Sequence, residues 1–168
     1  MRQVSSGDGM KNAIDIRSIR ENELDLLKGF LYEAIFIPEG AVPPPRDIVE
    51  KPELRVYTDG FGTKPGDNCL VAIDDGEIVG AVWTRIMNDY GHVDDETPSF
   101  VISLYKAHRG KGIGTRLMAG MLDILRDQGY KRASLAVQKD NYAVRMYQKI
   151  GFRIVDENDE EFIMVCGF

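Results

Sequence analysis

Three glycines fall within five residues, Gly110-Lys111-Gly112-Ile113-Gly114, with Arg109 just ahead of them. An apolar run, Phe100-Val101-Ile102-Ser103-Leu104, comes before this stretch. A long amphipathic one follows, with Ile113, Leu117, Met118, Met121, Leu122 and Leu125 at helical spacing. A single glycine would suffice for a simple turn, whereas three let the backbone bend sharply and approach a ligand with no side chain in the way. The helix start that follows directs its unpaired N–H groups and the positive end of its dipole at that bend. Strand, glycine turn and helix start together predict an anion site, and phosphate is its natural occupant.

Two nucleotide motifs are excluded by spacing. A P-loop needs Gly-x-x-x-x-Gly-Lys-Ser/Thr, but Lys111 is followed by Gly112 and has no glycine at the required distance before it. The dinucleotide fingerprint needs Gly-x-Gly-x-x-Gly early in the chain, with an acid at the tip of the next strand. Here the spacing is Gly110-x-Gly112-x-Gly114, late in the chain, and the next strand ends in Val137-Gln138.

A third pattern does fit: Arg/Gln-x-x-Gly-x-Gly/Ala, filled by Arg109, Gly112 and Gly114. About thirty residues on stands Asn141-Tyr142-Ala143-Val144-Arg145-Met146-Tyr147-Gln148-Lys149-Ile150-Gly151-Phe152. With both signatures in this order, the chain resembles the GNAT superfamily of N-acetyltransferases. The resemblance is sharpest from Pro98 to Val155, and the stretch Tyr90 to Pro98 is similar to a subgroup of small bacterial members. It implies an α/β fold with a mixed, mostly antiparallel sheet flanked by helices. It also implies acetyl-CoA as donor, an amine of a small molecule or protein as acceptor, and direct attack in a ternary complex. The alternatives are a non-catalytic CoA-binding sensor, or an acyltransferase with a different acyl-CoA or a hydroxyl acceptor.

Bulk properties narrow the partners. The 168 residues suffice for one domain with a real core. Residues 1–9 are polar and read as a disordered tail, with a single domain over 10–168. The net charge of −6 and the scattering of Lys and Arg among acids argue against nucleic acid as the main partner. No run approaches a membrane span and no apolar signal core opens the chain. Cys69 and Cys166 lie in apolar runs and read as buried thiols, which suits a cytoplasmic location. No metal site is expected, and the resemblance admits a homodimer.

The order of elements follows from periodicity and punctuation. Residues 13–19 alternate as a strand, and 22–35 carry a helical stripe. Residues 38–67 hold Pro38, Pro43, Pro44, Pro45, Pro52 and Pro65, leaving only Pro98 elsewhere. That stretch cannot be regular and is expected to form one wall of the acceptor site, with single helical turns near 47–49 and 53–57. Strands are predicted at 69–73 and 78–87 around the hairpin signal Asp75-Gly76, then at 99–105. After the glycine turn come a helix stopped by Gly129, a strand over 131–137, a helix over 141–150 and a terminal pair, 152–155 and 161–166.

The resemblance then assigns residues. Leu104, Tyr105 and Lys106 match the strand end that pairs backbone groups with the pantetheine arm, a strand-addition mode. Arg109, Gly110, Lys111, Gly112, Ile113, Gly114 and Thr115 match the pyrophosphate turn; Lys111 equally fits a solvated surface residue. Asn141 matches a cofactor contact and also suits an N-cap. Tyr147 matches the tyrosine that faces the CoA sulfur and is the candidate general acid, although its place on an apolar stripe also fits a core role. Strands 99–105 and 131–137 are expected to splay, with an amide near Ile102 to Leu104 polarising the thioester carbonyl. The strand before the turn has no acid, unlike many relatives. The base is therefore sought just upstream, at Glu96 or His92, or in a water relay. Tyr57, Trp83 and Tyr90 are candidates for lining the acceptor pocket.

Overall fold

A computed structural model describes residues 13–168. The expected tail over 1–9 lies outside the described residues. Alternating side chains give seven strands: β1 (Asp15–Ser18), β2 (Asn68–Asp74), β3 (Glu77–Arg85), β4 (Ser99–Leu104), β5 (Arg132–Gln138), β6 (Arg153–Glu157) and β7 (Glu161–Gly167). They form one sheet in the order β1-β2-β3-β4-β5-β7-β6, antiparallel at every junction except the parallel β4–β5 pair. The hairpin signal holds: Asp75 and Gly76 both take positive φ, 50° and 80°, the pair that a two-residue turn of right-twisted strands requires.

Helices cover both faces. Helix α1 (Leu27–Ala34) and the short α2 (Pro52–Arg55) lie on one side; α3 (Ile113–Asp127) and α4 (Ala143–Ile150) lie on the other. The stripe predicted on α3 is its buried face: Ile113, Leu117, Met118, Met121, Leu122 and Leu125 pack with Leu70, Val82 and Phe100. Truncating one such leucine to alanine costs about 2–5 kcal/mol. On the opposite face Leu27, Phe30 and Leu31 pack with Val71, Ala81, Trp83 and Val101.

Two boundaries differ from expectation. The stripe over 22–35 begins as a 3-10 segment, Glu21–Leu26, and becomes α-helical only at Leu27. Glu23 accounts for that start, since it accepts the Arg20 amide at 2.8 Å and grips Arg17 with both oxygens, at 2.7 and 2.8 Å. The helix expected from 141 starts at Ala143, whose N–H donates to the Asn141 side chain at 2.9 Å. The proline-rich stretch forms a 3-10 segment, Arg46–Glu50, then α2, close to the two single turns read from sequence. Among the described residues no helix is long and apolar enough to cross a membrane.

Candidate active site

Strands β4 and β5 share a single register pair, Ser99↔Ser134. The Ser134 amide also donates to the Pro98 carbonyl at 2.9 Å. Beyond that point the strands diverge, and the gap between them becomes a cleft of about 410 Å3. Phe100, Val101 and Ile102 line one side; Leu135 to Gln138 line the other. On the opposite side of β4, Tyr105 donates to the Val79 carbonyl at 2.9 Å. Alternation along an antiparallel ladder then turns the backbone groups of Phe100, Ile102 and Leu104 away from β3, into the gap. The sequence expectation of a splay with open amides near 102–104 matches this geometry.

The glycine turn closes one end. Gly110 and Gly112 have φ of 75° and 81°, a left-handed backbone that side chains resist, and a Cβ at either would meet nothing within 4 Å. That free space is what a close-lying ligand needs. Gly112 caps α3, and the first helical bond runs from Arg116 to its carbonyl at 3.2 Å. The amides of Ile113, Gly114 and Thr115 precede that bond and face the turn. Lys111 and Thr115 are exposed there, while Ile113 and Gly114 are buried. Arg109 is spent on structure: its Nε donates to the Leu104 carbonyl at 2.9 Å, and its Nη2 lies 3.5 Å from the Glu33 carboxylate. Tyr105 is partly exposed and rests on Phe30 with ring centroids 5.1 Å apart; Lys106 is exposed beside it. His108 bonds Asp74 through Nε2 at 3.1 Å. Open glycine positions, unpaired helix amides and an unpaired strand edge are a donor set that fits a pyrophosphate and its attached amide-bearing arm.

Tyr147 reaches the cleft from α4 and is only 8 % exposed. Its ring packs edge-on against Phe152 at 6.1 Å. Its hydroxyl has no hydrogen-bond partner among the described residues. Burial pushes this phenol well above its ordinary range, so it keeps its proton at neutral pH and has an O–H to donate. The ring is part of the core, as one of the two readings from the sequence has it, and Tyr147 also borders the cleft. Asn141 lies just ahead of α4, its side chain accepting the Ala143 amide at 2.9 Å, and it borders the cleft.

The carboxylates are where the sequence reading and the structure part. Glu96 is exposed, its amide bonded to Asp94 Oδ1 at 2.9 Å, and it does not line the cleft. His92 points Nδ1 at the Met87 carbonyl, 2.8 Å away, and is also outside the lining. Asp89, which the sequence shows only as part of a polar loop, does line it. Ser99 Oγ lies 3.0 and 2.9 Å from its two oxygens, and the Tyr57 phenol stands beside it. Gly91 makes this seating possible, because a Cβ there would fall 2.9 Å from Ser99 Oγ and 3.0 Å from the Ala136 amide. Burial raises the Asp89 carboxyl above its usual value, against the pull of hydrogen bonds from Ser99 and Gly91. No pattern in the sequence marks Asp89, which stands in a polar loop past the end of β3. Of the aromatic candidates, Tyr57 and Tyr90 line the cleft; Trp83 is fully buried, donating to the Tyr57 carbonyl at 3.1 Å. Leu54 and Tyr57 bring the irregular stretch to the cleft, as expected for one of its walls.

Known proteins share this fold. Over 93 % of its length the chain superposes on 99 % of the PaiA N-acetyltransferase from Thermoplasma acidophilum, solved in complex with coenzyme A, with a TM-score of 0.69 at 19 % identity. It covers 94 % of the ribosomal-protein-S18-alanine N-acetyltransferase from Escherichia coli with a TM-score of 0.63 at 16 % identity. In sequence it is 34 % identical to a mycothiol acetyltransferase from Corynebacterium efficiens over 51 % of this chain and 27 % of that protein. It is 28 % identical to human N-acetyltransferase 8B over 64 % of this chain and 48 % of that protein. The chain thus spans less than half the length of these curated relatives. The model of the acetyltransferase (GNAT) family matches residues 35–152, which hold the glycine turn, the splayed strands and Tyr147. By that match, over well more than half its length, the chain belongs to the GNAT acetyltransferase family.

Proposed function

We propose that the protein is an N-acetyltransferase that moves the acetyl group of acetyl-CoA to a primary amine by direct attack. The observation that carries this reading is the cleft between β4 and β5, with free helix amides at one end and a buried, unpartnered phenol in its wall. Acetyl-CoA supplies the activated acetyl group and a thiolate that leaves. The turn from Arg109 to Thr115 receives the pyrophosphate, mostly through backbone N–H groups. The strand end at Leu104, Tyr105 and Lys106 pairs with the pantetheine arm, and Asn141 borders it. A backbone amide between Ile102 and Leu104 polarises the acetyl carbonyl. Tyr147 gives its proton to the departing sulfur. Glu96 is not carried into this scheme, because its side chain lies outside the cleft.

A cytoplasmic setting belongs to the same reading, supported by two buried thiols, Cys69 and Cys166, that form no disulfide. A homodimer is tested by light scattering. The cofactor reading is tested by calorimetric titration with acetyl-CoA, coenzyme A and NAD. The expected outcome is binding of both CoA species and none of NAD. Gly112→Glu abolishes binding, since it puts bulk and negative charge at the pyrophosphate. Normal affinity in that variant would reject the assignment of the turn.

A further inference from the structure

The cleft opens on both faces of the sheet. Phe100, Leu135, Val137 and Tyr147 reach it from the core beneath α3 and α4. Leu31, Tyr57 and Val101 reach it from the core beneath α1 and α2. The glycine turn starts α3, so the donor enters from the first face. The mouth on the second face lies across the sheet from that entrance. Ile35, Phe36, Leu54 and Tyr90 form its rim; the first three are half-buried and Tyr90 is 54 % exposed.

Most of this rim is not needed to close the interior. The buried stripe of α1 is complete with Leu27, Phe30, Leu31 and Ala34. Ile35 then leaves the helix with ψ of 119°, and Ile35, Phe36 and Tyr90 belong to neither core. Polar ties hold the rim in place. Beyond Phe36, the Tyr32 hydroxyl donates to the Pro44 carbonyl at 2.6 Å and Arg46 lies over the Tyr32 ring. Next to Leu54, Arg85 donates to the Val56 carbonyl and Trp83 to the Tyr57 carbonyl, both at 3.1 Å. Apolar surface anchored in this way stays in contact with water, and an apolar ligand entering the mouth would release that water.

The mouth offers little to a polar group. The Tyr57 hydroxyl is spent on the Asp89 carboxylate and the Tyr90 amide. Among the described residues no lysine, arginine or histidine lines the cleft, so a carboxylate or phosphate would find no cation there.

We propose that the amine acceptor carries an apolar tail, an alkyl chain or an aromatic ring, seated among Ile35, Phe36, Leu54 and Tyr90. This rests on the acetyltransferase reading and narrows it to a substrate class. The amine leads through the mouth toward the donor's thioester, and the tail stays on the second face. An amino sugar or a polyamine would set hydroxyls or further charges against hydrocarbon, at the expense of their hydration.

The test measures thiol release from acetyl-CoA by the full chain with ethylamine, butylamine, hexylamine and 2-phenylethylamine, at low and high salt. Each buried methylene favours binding about fourfold, so kcat/KM rises about tenfold from each alkylamine to the next. The ring of 2-phenylethylamine gives it an advantage of about thirtyfold over ethylamine. Salt leaves these ratios level, because no charge on the tail is being recognised. The double variant F36S/Y90S, which touches neither core, flattens the series to about threefold per step or less. A flat series in the wild type, ratios that collapse with salt, a series unmoved in the variant, or no turnover of any of these amines by protein that binds acetyl-CoA would each overturn the apolar tail and leave the cofactor reading standing. Failure to bind acetyl-CoA would remove both. The wild-type series needs no variant to fold.

Discussion

Two sheltered acids, Asp67 just before β2 and Asp89 just after β3, are treated in opposite ways. Asp67 is fully enclosed and answered by Arg85, whose Nε and Nη2 meet its two oxygens at 2.9 and 3.0 Å. Arg85 spends a further N–H on the Val56 carbonyl at 3.1 Å and lies over the Phe61 ring. Asp89 is also sheltered, yet every partner it has is neutral. The first arrangement locks the irregular stretch 56–67 onto the sheet and leaves nothing to bind. The second leaves a charge unanswered beside a cleft. A buried acid with its cation supplied by the fold is scaffold; a buried acid without one is an invitation to a ligand.

Neutralising Asp89 and removing the partner of Asp67 separates these roles most sharply. Asp89→Asn lowers kcat/KM for an amine acceptor by about 10²-fold or more. It leaves thermal stability level or improved, because a desolvated charge disappears. Arg85→Met does the reverse. It strands Asp67 in the interior and costs about 3–5 kcal/mol in urea unfolding. If both variants lose stability alike, the distinction fails. Tyr147→Phe comes next: turnover falls by about 10²-fold while calorimetry shows acetyl-CoA affinity little changed. Retained turnover across pH would remove Tyr147 as the acid.

The acids outside the cleft give smaller effects. Glu23, held by Arg17, and Asp94, held by Thr97 and Arg132, titrate at about 2. Their folded values lie below the unfolded ones near 4, so their contribution is present above about pH 4 and fades as pH falls toward 2. Asp89 has the opposite sign. Its raised value favours the fold below the unfolded pKa and withdraws that support as pH rises through the folded one. Urea midpoints of the wild type and of Asp89→Asn between pH 2 and 7 resolve the two trends. Smallest of all, Glu96→Gln changes kcat/KM by about twofold or less, as expected of an exposed side chain away from the lining.

What could be read from residues alone follows the range of the forces involved. The glycine turn, the Asp75-Gly76 hairpin and the α3 stripe are set by neighbours within a few positions, so their patterns stand in the sequence. The splay of β4 from β5 was legible only through the family resemblance. Asp89 was not legible, because Asn88-Asp89-Tyr90-Gly91 reads as an ordinary polar loop. Its burial comes from Tyr57, far upstream, and from Ser99 across the gap, contacts that only the folded sheet creates. Glu96 shows the converse: a plausible acid by position, turned to solvent by the Asp94–Thr97 bond at 2.7 Å.

The single register pair at Ser99 and Ser134 has a consequence for the molecule as a whole. It divides the sheet into two panels, β1–β4 and β5–β7, sewn together by one stitch. A donor molecule lying along the open seam would touch both panels and act as the missing thread. Its binding energy then enters the folding equilibrium, adding about 2.7 kcal/mol at a hundredfold excess over Kd. The supply of acetyl donor would thereby set how firmly the two panels hold together, as well as how fast the protein works.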